Sequence, residues 1–381
     1  MMSESPIYLD HHSTTPCDPR VVEAMLPYFS DNFGNAAAST HVHGRRASSA
    51  LEDARGRVAA SLGCLPSEIH FTSGATESNN IALRGIALDP GAHVVTSAVE
   101  HSSIIQPLEQ MARFGIEHTI VMPDSKGAVH GDTIRSAIRP STVLVSVMAA
   151  NAEFGTVEPI EEIGTACRAS GVPLHTDATQ AVGKIPFDLQ TLPVDLASLS
   201  AHKFYGPKGI GALFIRTGTS LLSPVAGGGQ EKKVRSGTVN VAGAVGLAEA
   251  LAIAIAGMAT ESERLVALRT RLRTKLLAAI PNAVVNGPDE ARLPGNLHVS
   301  FPGVDVEALV HALRRFSLST GAACASGRRE PSRALRAIGL DERVAMSSLR
   351  FGLGRCNTEE HVDQLVEDLT AAVSRLRQIS V

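Results

Sequence analysis

Short apolar runs alternate with helical patterns over roughly two hundred residues, and most of these runs stop abruptly at polar side chains. Strands alternating with helices fold into one doubly wound, mostly parallel sheet with helices on its faces. Residues 69–72 run into Ser73-Gly74-Ala75-Thr76, and a helical stretch follows through Ile81. Residues 93–97 run into Glu100-His101. Residues 142–148 are nearly continuously apolar, as a central parallel strand is, and lead to Asn151-Ala152-Glu153. Residues 172–177 end in Asp177, and residues 194–200 end in Ser200-Ala201-His202-Lys203. A turn at Gly206-Pro207-Lys208-Gly209 then opens a further strand at 210–216. Open sheets of this kind keep their chemistry at the carboxyl ends of the strands, so these polar termini are the first candidates for a site.

The pattern changes beyond residue 242. Residues 242–280 read as helical, with Leu265, Leu268, Leu272 and Leu276 on one face, and a domain change is expected inside this stretch. A second αβ region follows. It has strand-like runs at 296–301 and 347–352, a helix at 306–316, an extended stretch at 317–323 and a closing helix at 358–378. The 381 residues suffice for two domains and a large core. The most membrane-like segment, 241–258, contains Glu249 and is rich in Ala and Gly, so it reads as a buried helix. A net charge of -3 gives no electrostatic reason to expect nucleic-acid binding. The start, Met1-Met2-Ser3-Glu4-Ser5-Pro6, lacks the basic and apolar regions of a signal peptide. The five cysteines, at 17, 64, 167, 324 and 356, form no CxxC pair and no metal-ligand spacing. Their odd number without a secretory signal points to reduced thiols in the cytoplasm.

Lys203 at a strand end is placed to lose its hydration, which lowers the pKa of an amine and makes it a Schiff-base nucleophile. Asp177 ends a neighbouring run. A lysine and an aspartate on adjacent strand ends suit pyridoxal 5′-phosphate (PLP): the lysine holds C4′ and the acid keeps the pyridine nitrogen protonated. The turn at residues 73–76 offers free backbone N–H groups and hydroxyls to a phosphate, although ordinary helix capping explains it equally well. His101 is either a ring set over a planar cofactor or a solvated loop residue. His11, His12, His41 and His43 have no carboxylate or thiol at ligand spacing and are not read as a metal site.

These pieces resemble the NifS/IscS-type cysteine desulfurases, within the class V aminotransferase branch of fold-type I PLP enzymes. The markers are Phe71-Thr72-Ser73-Gly74-Ala75-Thr76-Glu77-Ser78, His175-Thr176-Asp177-Ala178-Thr179-Gln180, Ser200-Ala201-His202-Lys203, Arg235-Ser236-Gly237-Thr238, Ser319-Thr320-Gly321-Ala322-Ala323-Cys324 and Ser348-Leu349-Arg350-Phe351. The likeness spans essentially the whole chain. It implies an α/β fold with a mostly parallel seven-stranded sheet in a large PLP-binding domain at 15–257. A smaller α+β domain would comprise 1–14 and 258–381 and carry the Cys324 loop. In that family Lys203 would bond the cofactor, Asp177 would pair with the pyridine nitrogen and Gln180 would contact the ring hydroxyl. His101 would stack on the ring and move protons. Ala75, Thr76, Ser200 and His202 would hold the phosphate, with Thr238 reaching in from the second subunit of a homodimer. Arg350 would bind the carboxylate of L-cysteine. Cys324 would take the sulfur as a persulfide, releasing alanine, and pass it to an acceptor. An Fe–S scaffold protein is the family's usual acceptor, with tRNA thiolation relays and DNA sulfur-modification systems as alternatives, and a transient cluster contact at Cys324 is left open; no resident metal is implied.

Two departures stand out. The family has Asn-Asn-Glu after the central strand, where this chain has Asn151-Ala152-Glu153, so one amide toward the cofactor's ring oxygen is missing. Glu231-Lys232-Lys233-Val234-Arg235 replaces a run with Arg and Gly. The rivals to a desulfurase are another class V enzyme, such as a selenocysteine lyase or a carbon–sulfur lyase without a persulfide step, and a catalytically weak scaffold, which Ala152 alone supports.

Overall fold

A computed structural model describes residues 6–320, 322, 323 and 330–379. The chain enters on a short strand, β1 (Ile7–Tyr8). The apolar runs then build β2 (Ile69–Thr72), β3 (His93–Ser97), β4 (Glu117–Val121), β5 (Thr142–Ser146), β6 (Leu174–Asp177), β7 (Leu196–Ser200) and β8 (Gly211–Ile215). These seven form one sheet in the order β2-β8-β7-β6-β5-β3-β4. Neighbours are parallel except at β8, which runs antiparallel to both β2 and β7. The link from Ser200 to Gly211 is too short for a crossover, so β8 can only return alongside β7 in the antiparallel sense. Every residue of β2, β3, β6, β7 and β8 is buried, as expected of a sheet covered on both faces. The edge strand β4 is largely open, and its Glu-His-Thr-Ile-Val sequence carries no apolar run to mark it.

The second region contains β9 (Val284–Val285), β10 (Asn296–Ser300), β11 (Phe316–Ser317), β12 (Ser319–Thr320), β13 (Ala322–Ala323), β14 (Glu330–Pro331) and β15 (Ser348–Gly352). An antiparallel sheet runs β12-β15-β10-β9. The extended stretch expected at 317–323 is broken because each piece has a different partner: β11 pairs with β1, β12 with β15 and β13 with β14. Helix Glu359–Ile379 buries Val362, Leu365, Leu369 and Val373.

Two hydrophobic cores share the long helix Val241–Ala279. Leu247, Leu251 and Ala254 belong to the core around the seven-stranded sheet. Leu268, Leu272 and Leu276 belong to a second core with Leu9, Leu297, Phe351 and Leu365. The apolar first half of this helix is long enough to cross a membrane, but it is built into the first core.

Candidate active site

The carboxyl ends of β2, β5, β6 and β7, with the turn that follows β3, border a cavity of about 490 Å³, a size suited to a small ligand or cofactor. Lys203, Asp177, His101, Gln180, Ser200 and His202 all line it, as do Ala75, Thr76 and Ala152. The structure therefore gathers most of the residues singled out in the sequence, although they come from segments far apart along the chain.

Lys203 ends the turn Ala201–Lys203, directly after β7. Its Nζ donates to the carbonyls of His12 at 2.9 Å and Ser13 at 2.5 Å. Burial, reinforced by the Arg350 charge, lowers its pKa to about 8, against the opposing pull of Asp177 and Asp10. Asp177 is the last residue of β6 and is buried. Its Oδ1 accepts from the Thr179 N–H at 3.0 Å, and its Oδ2 accepts from Asn79 Nδ2 at 2.8 Å. Asn79, four residues into helix Ala75–Ile86, thus completes the carboxylate's surroundings.

The cradle begins where β2 ends. Gly74 has φ of 150°, outside the range open to most side chains, and helix Ala75–Ile86 starts at the next residue. Gly211 of β8 packs so closely behind it that a Cβ there would lie 2.6 Å from Gly74 Cα. The first N–H groups of the helix, with Ser200 and His202 beside them, form the kind of donor set that holds an anion. Burial and three lysines, Lys203 foremost, lower the His202 pKa to about 4, so the ring is neutral. The Glu231 turn braces this corner. Its carboxylate accepts from Arg55 Nη1 and Nη2 at 2.8 Å each and from the Phe71 N–H at 2.7 Å. Glu231, Lys232 and Lys233 all take the left-handed backbone region, a strained arrangement held by that buried ion pair.

His101 is brought to the cavity by a turn fixed through Glu100. The Glu100 carboxyl accepts from Ser97 Oγ at 2.6 Å and from the Met148 N–H at 2.8 Å, and burial pushes its pKa up to about 8. Gln180 donates from Nε2 to the His12 carbonyl at 2.8 Å, while its Oε1 accepts from Lys184 Nζ at 2.5 Å. Lys184 is held well below the usual lysine range by burial and by the charges of Lys203 and Arg350.

Two candidates lie elsewhere, and a third is not among the described residues. Arg350, in β15, does not line the cavity. Its Nη2 donates to Asp10 Oδ1 at 2.7 Å and to Ser319 Oγ at 3.1 Å, its Nη1 donates to the Ala152 carbonyl at 3.2 Å, and its buried Nε has no partner among the described residues. Thr238 is exposed and away from the cavity of its own chain. Cys324 lies outside the described residues. The residues flanking it are placed: Ser319 sits against Asp10 and Arg350, Ser332 Oγ donates to Glu153, and Arg333 donates to the carbonyls of Ala98 and Glu100. Asn79, Ser103, Asp10 and Lys184, which bond to Asp177, His101, Arg350 and Gln180, are residues that the sequence did not mark. Each acts through a partner remote in sequence or through an amide, which no local pattern records. Among the described residues, no group of three His, Cys, Asp or Glu is arranged to hold a metal.

Comparison with known proteins adds a history to this geometry. The chain is 49% identical over 380 residues to a cysteine desulfurase IscS of Anaeromyxobacter sp. strain Fw109-5, covering 98% of this chain and 94% of that protein. A solved NifS-like protein superimposes with a TM-score of 0.91 at 36% identity, covering 97% of this chain and all of that one. SspA, solved in complex with cysteine, matches with a TM-score of 0.82 at 34% identity, over 91% of this chain and 98% of its own. The family model for class-V aminotransferases matches residues 7–365. A family match over nearly the whole chain, on a cavity with this donor set, places the protein in the aminotransferase class-V family of PLP-dependent enzymes.

Proposed function

We infer that this chain is a PLP-dependent cysteine desulfurase, which moves the sulfur of L-cysteine onto one of its own thiols and releases L-alanine. The observation that carries this is the meeting of Lys203, Asp177 and the cradle at residues 74–76 in one cavity of a chain so similar to desulfurases. The donor set fits PLP. An amine with a lowered pKa suits the aldehyde, a buried carboxylate suits the pyridine nitrogen, and a helix N-terminus with hydroxyls suits the phosphate. Lys203, Asp177, Gln180, Ala75, Thr76, Ser200 and His202 would hold it, with Thr238 contributed by a second subunit. When bound, PLP supplies an electron sink for the charge left on a substrate Cα.

With its pKa lowered to about 8, part of Lys203 is free base near neutral pH and accepts the Cα proton of cysteine. Arg350, whose Nη2 is held by Asp10 and Ser319 outside the cavity, would turn into it to bind the substrate carboxylate. The Cys324 thiolate attacks the substrate sulfur. An S–S bond forms and the Cβ–S bond breaks. Its electron pair stays with carbon, which is protonated and leaves as alanine. Incubating the PLP-loaded protein with L-cysteine tests the reading: alanine and protein-bound sulfur should appear in equal amounts in the first turnover. Alanine without bound sulfur would point instead to a lyase.

Ala152 has its own expected consequence. Asn151 cannot stand in for the missing amide, because its Oδ1 accepts from the Glu153 and Phe154 N–H groups and its Nδ2 donates to the Val99 carbonyl. Ala152→Asn should therefore shift the pH midpoint of the cofactor's absorbance by up to about one unit, the worth of one hydrogen bond. Superimposable titrations of the two proteins would remove the argument.

The finer assignments are proposals too. The chain divides at residue 257, between a PLP-binding domain and a smaller domain. It works as a two-fold homodimer, supported by the exposure of Thr238 and by exposed Val22, Leu26, Phe29, Phe33 and Val42. Sedimentation should give a dimer at working concentration, and an active monomer would refute it. The partner is a sulfur-acceptor protein, an Fe–S scaffold or a member of another sulfur-modification pathway, and the setting is the cytoplasm.

A further inference from the structure

We infer that Asn79 and Ser103 are positioning residues that fix His101 in the Nε2–H tautomer, so that the ring meets the reaction as a hydrogen-bond donor. The directions of four hydrogen bonds carry the argument. Asp177 Oδ2 lies 2.8 Å from the Asn79 amide and, as a carboxylate oxygen, only accepts, so the amide atom facing it is Nδ2. The same nitrogen lies 2.8 Å from Ser103 Oγ, so its second hydrogen goes to that oxygen. Ser103 Oγ therefore accepts from Asn79 and directs its own hydrogen to His101 Nδ1 at 2.8 Å. The Ser103 backbone N–H points at the same Nδ1, 3.1 Å away, as the first turn of helix Ser102–Ala112 closes over the ring. Two donors aimed at one nitrogen leave no room for a proton there. The proton of the neutral ring sits on Nε2.

The charged surroundings agree with a neutral ring. Burial lowers the His101 pKa first; Asp177 opposes, while Lys203 and Arg333 add to the lowering. Glu100 precedes it but spends its side chain on Ser97 and Met148. Asn79 is fully buried, and its Oδ1 has no partner among the described residues, so the amide is held by its nitrogen. An aspartate at that position would set a second carboxylate against Asp177 and could give Ser103 no hydrogen.

The test is read in the PLP-loaded protein, without cysteine, by long-range ¹H–¹⁵N correlation on ¹⁵N-histidine-labelled chains. His101→Gln identifies the signal by its loss. Wild type should show a protonated Nε2 and an acceptor Nδ1 between about pH 6 and 8. Ser103→Ala removes one of the two donors and should raise the His101 midpoint by up to about one pKa unit, with Ser103→Thr restoring it. Asn79→Ala frees the Ser103 hydroxyl to turn and should move the Nδ1 shift toward an average of the two tautomers. A protonated Nδ1 in neutral wild-type His101, or a titration unmoved by both variants, overturns the inference. No turnover is measured, so the outcome is separate from that of the desulfurase reading.

Discussion

Lys203→Ala should lose turnover by at least about a thousandfold and lose the absorbance band that depends on a lysine–cofactor bond, while keeping its fold. The loss combines two jobs in one side chain, covalent attachment and proton transfer. No neighbour can take them over. Lys208 also lines the cavity, but it is exposed and its amine remains solvated. Lys184 is tied to Gln180 and does not line the cavity that Asp177 and the cradle border. Stability should change little, because a buried amine held by two carbonyls is exchanged for a methyl group that needs no hydration. Circular dichroism and thermal unfolding check that point. A second expectation comes from the lowered pKa. Only the free base attacks an aldehyde, so PLP uptake by cofactor-free wild type should speed up as pH rises through about 8. Turnover by Lys203→Ala within tenfold of wild type would end the assignment of Lys203 as the cofactor lysine.

The sheet and its polar edge were legible because each buried strand is an apolar run with a polar stop. Residues 69–72 are β2 as read, and the run ending in Ser200 is β7. β4 was not legible, since an edge strand facing solvent needs no apolar residues. Nor was the antiparallel sense of β8, which follows from the length of a connection rather than from strand composition. Within the site, Lys203, Asp177 and Thr76 stand out by position alone. The Asp177–Asn79–Ser103–His101 chain does not, because its bonds join residues 24 and 98 positions apart. Such networks appear only when the strands are laid side by side. Arg350 is instructive in another way. The family resemblance implies a guanidinium for the substrate carboxylate there, but not that Asp10 already occupies one of its nitrogens.

Cys324→Ser should separate cofactor chemistry from sulfur transfer. The variant should keep the cofactor band and still bind cysteine, because Lys203, Asp177 and the cradle are untouched. Persulfide formation should fall by at least about a hundredfold, since a serine hydroxyl is far less ionised and far less nucleophilic toward sulfur than a thiol. The other cysteines make this a clean test. Burial pushes Cys64 and Cys167 up to about 12, so at neutral pH both are protonated and unreactive. Burial also raises Cys17, with Asp18 adding to it. Cys356 is the exposed competitor, and it does not line the cavity that holds Lys203. Cys356→Ser is therefore the control, expected to carry persulfide at the wild-type level. Were Cys324 merely a packed small residue, Cys324→Ser would show a small stability change and nearly normal sulfur release. Measuring cofactor absorbance, alanine and protein-bound sulfur on both variants decides the matter. Wild-type levels of persulfide on Cys324→Ser would place the sulfur-accepting thiol elsewhere and overturn the mechanism.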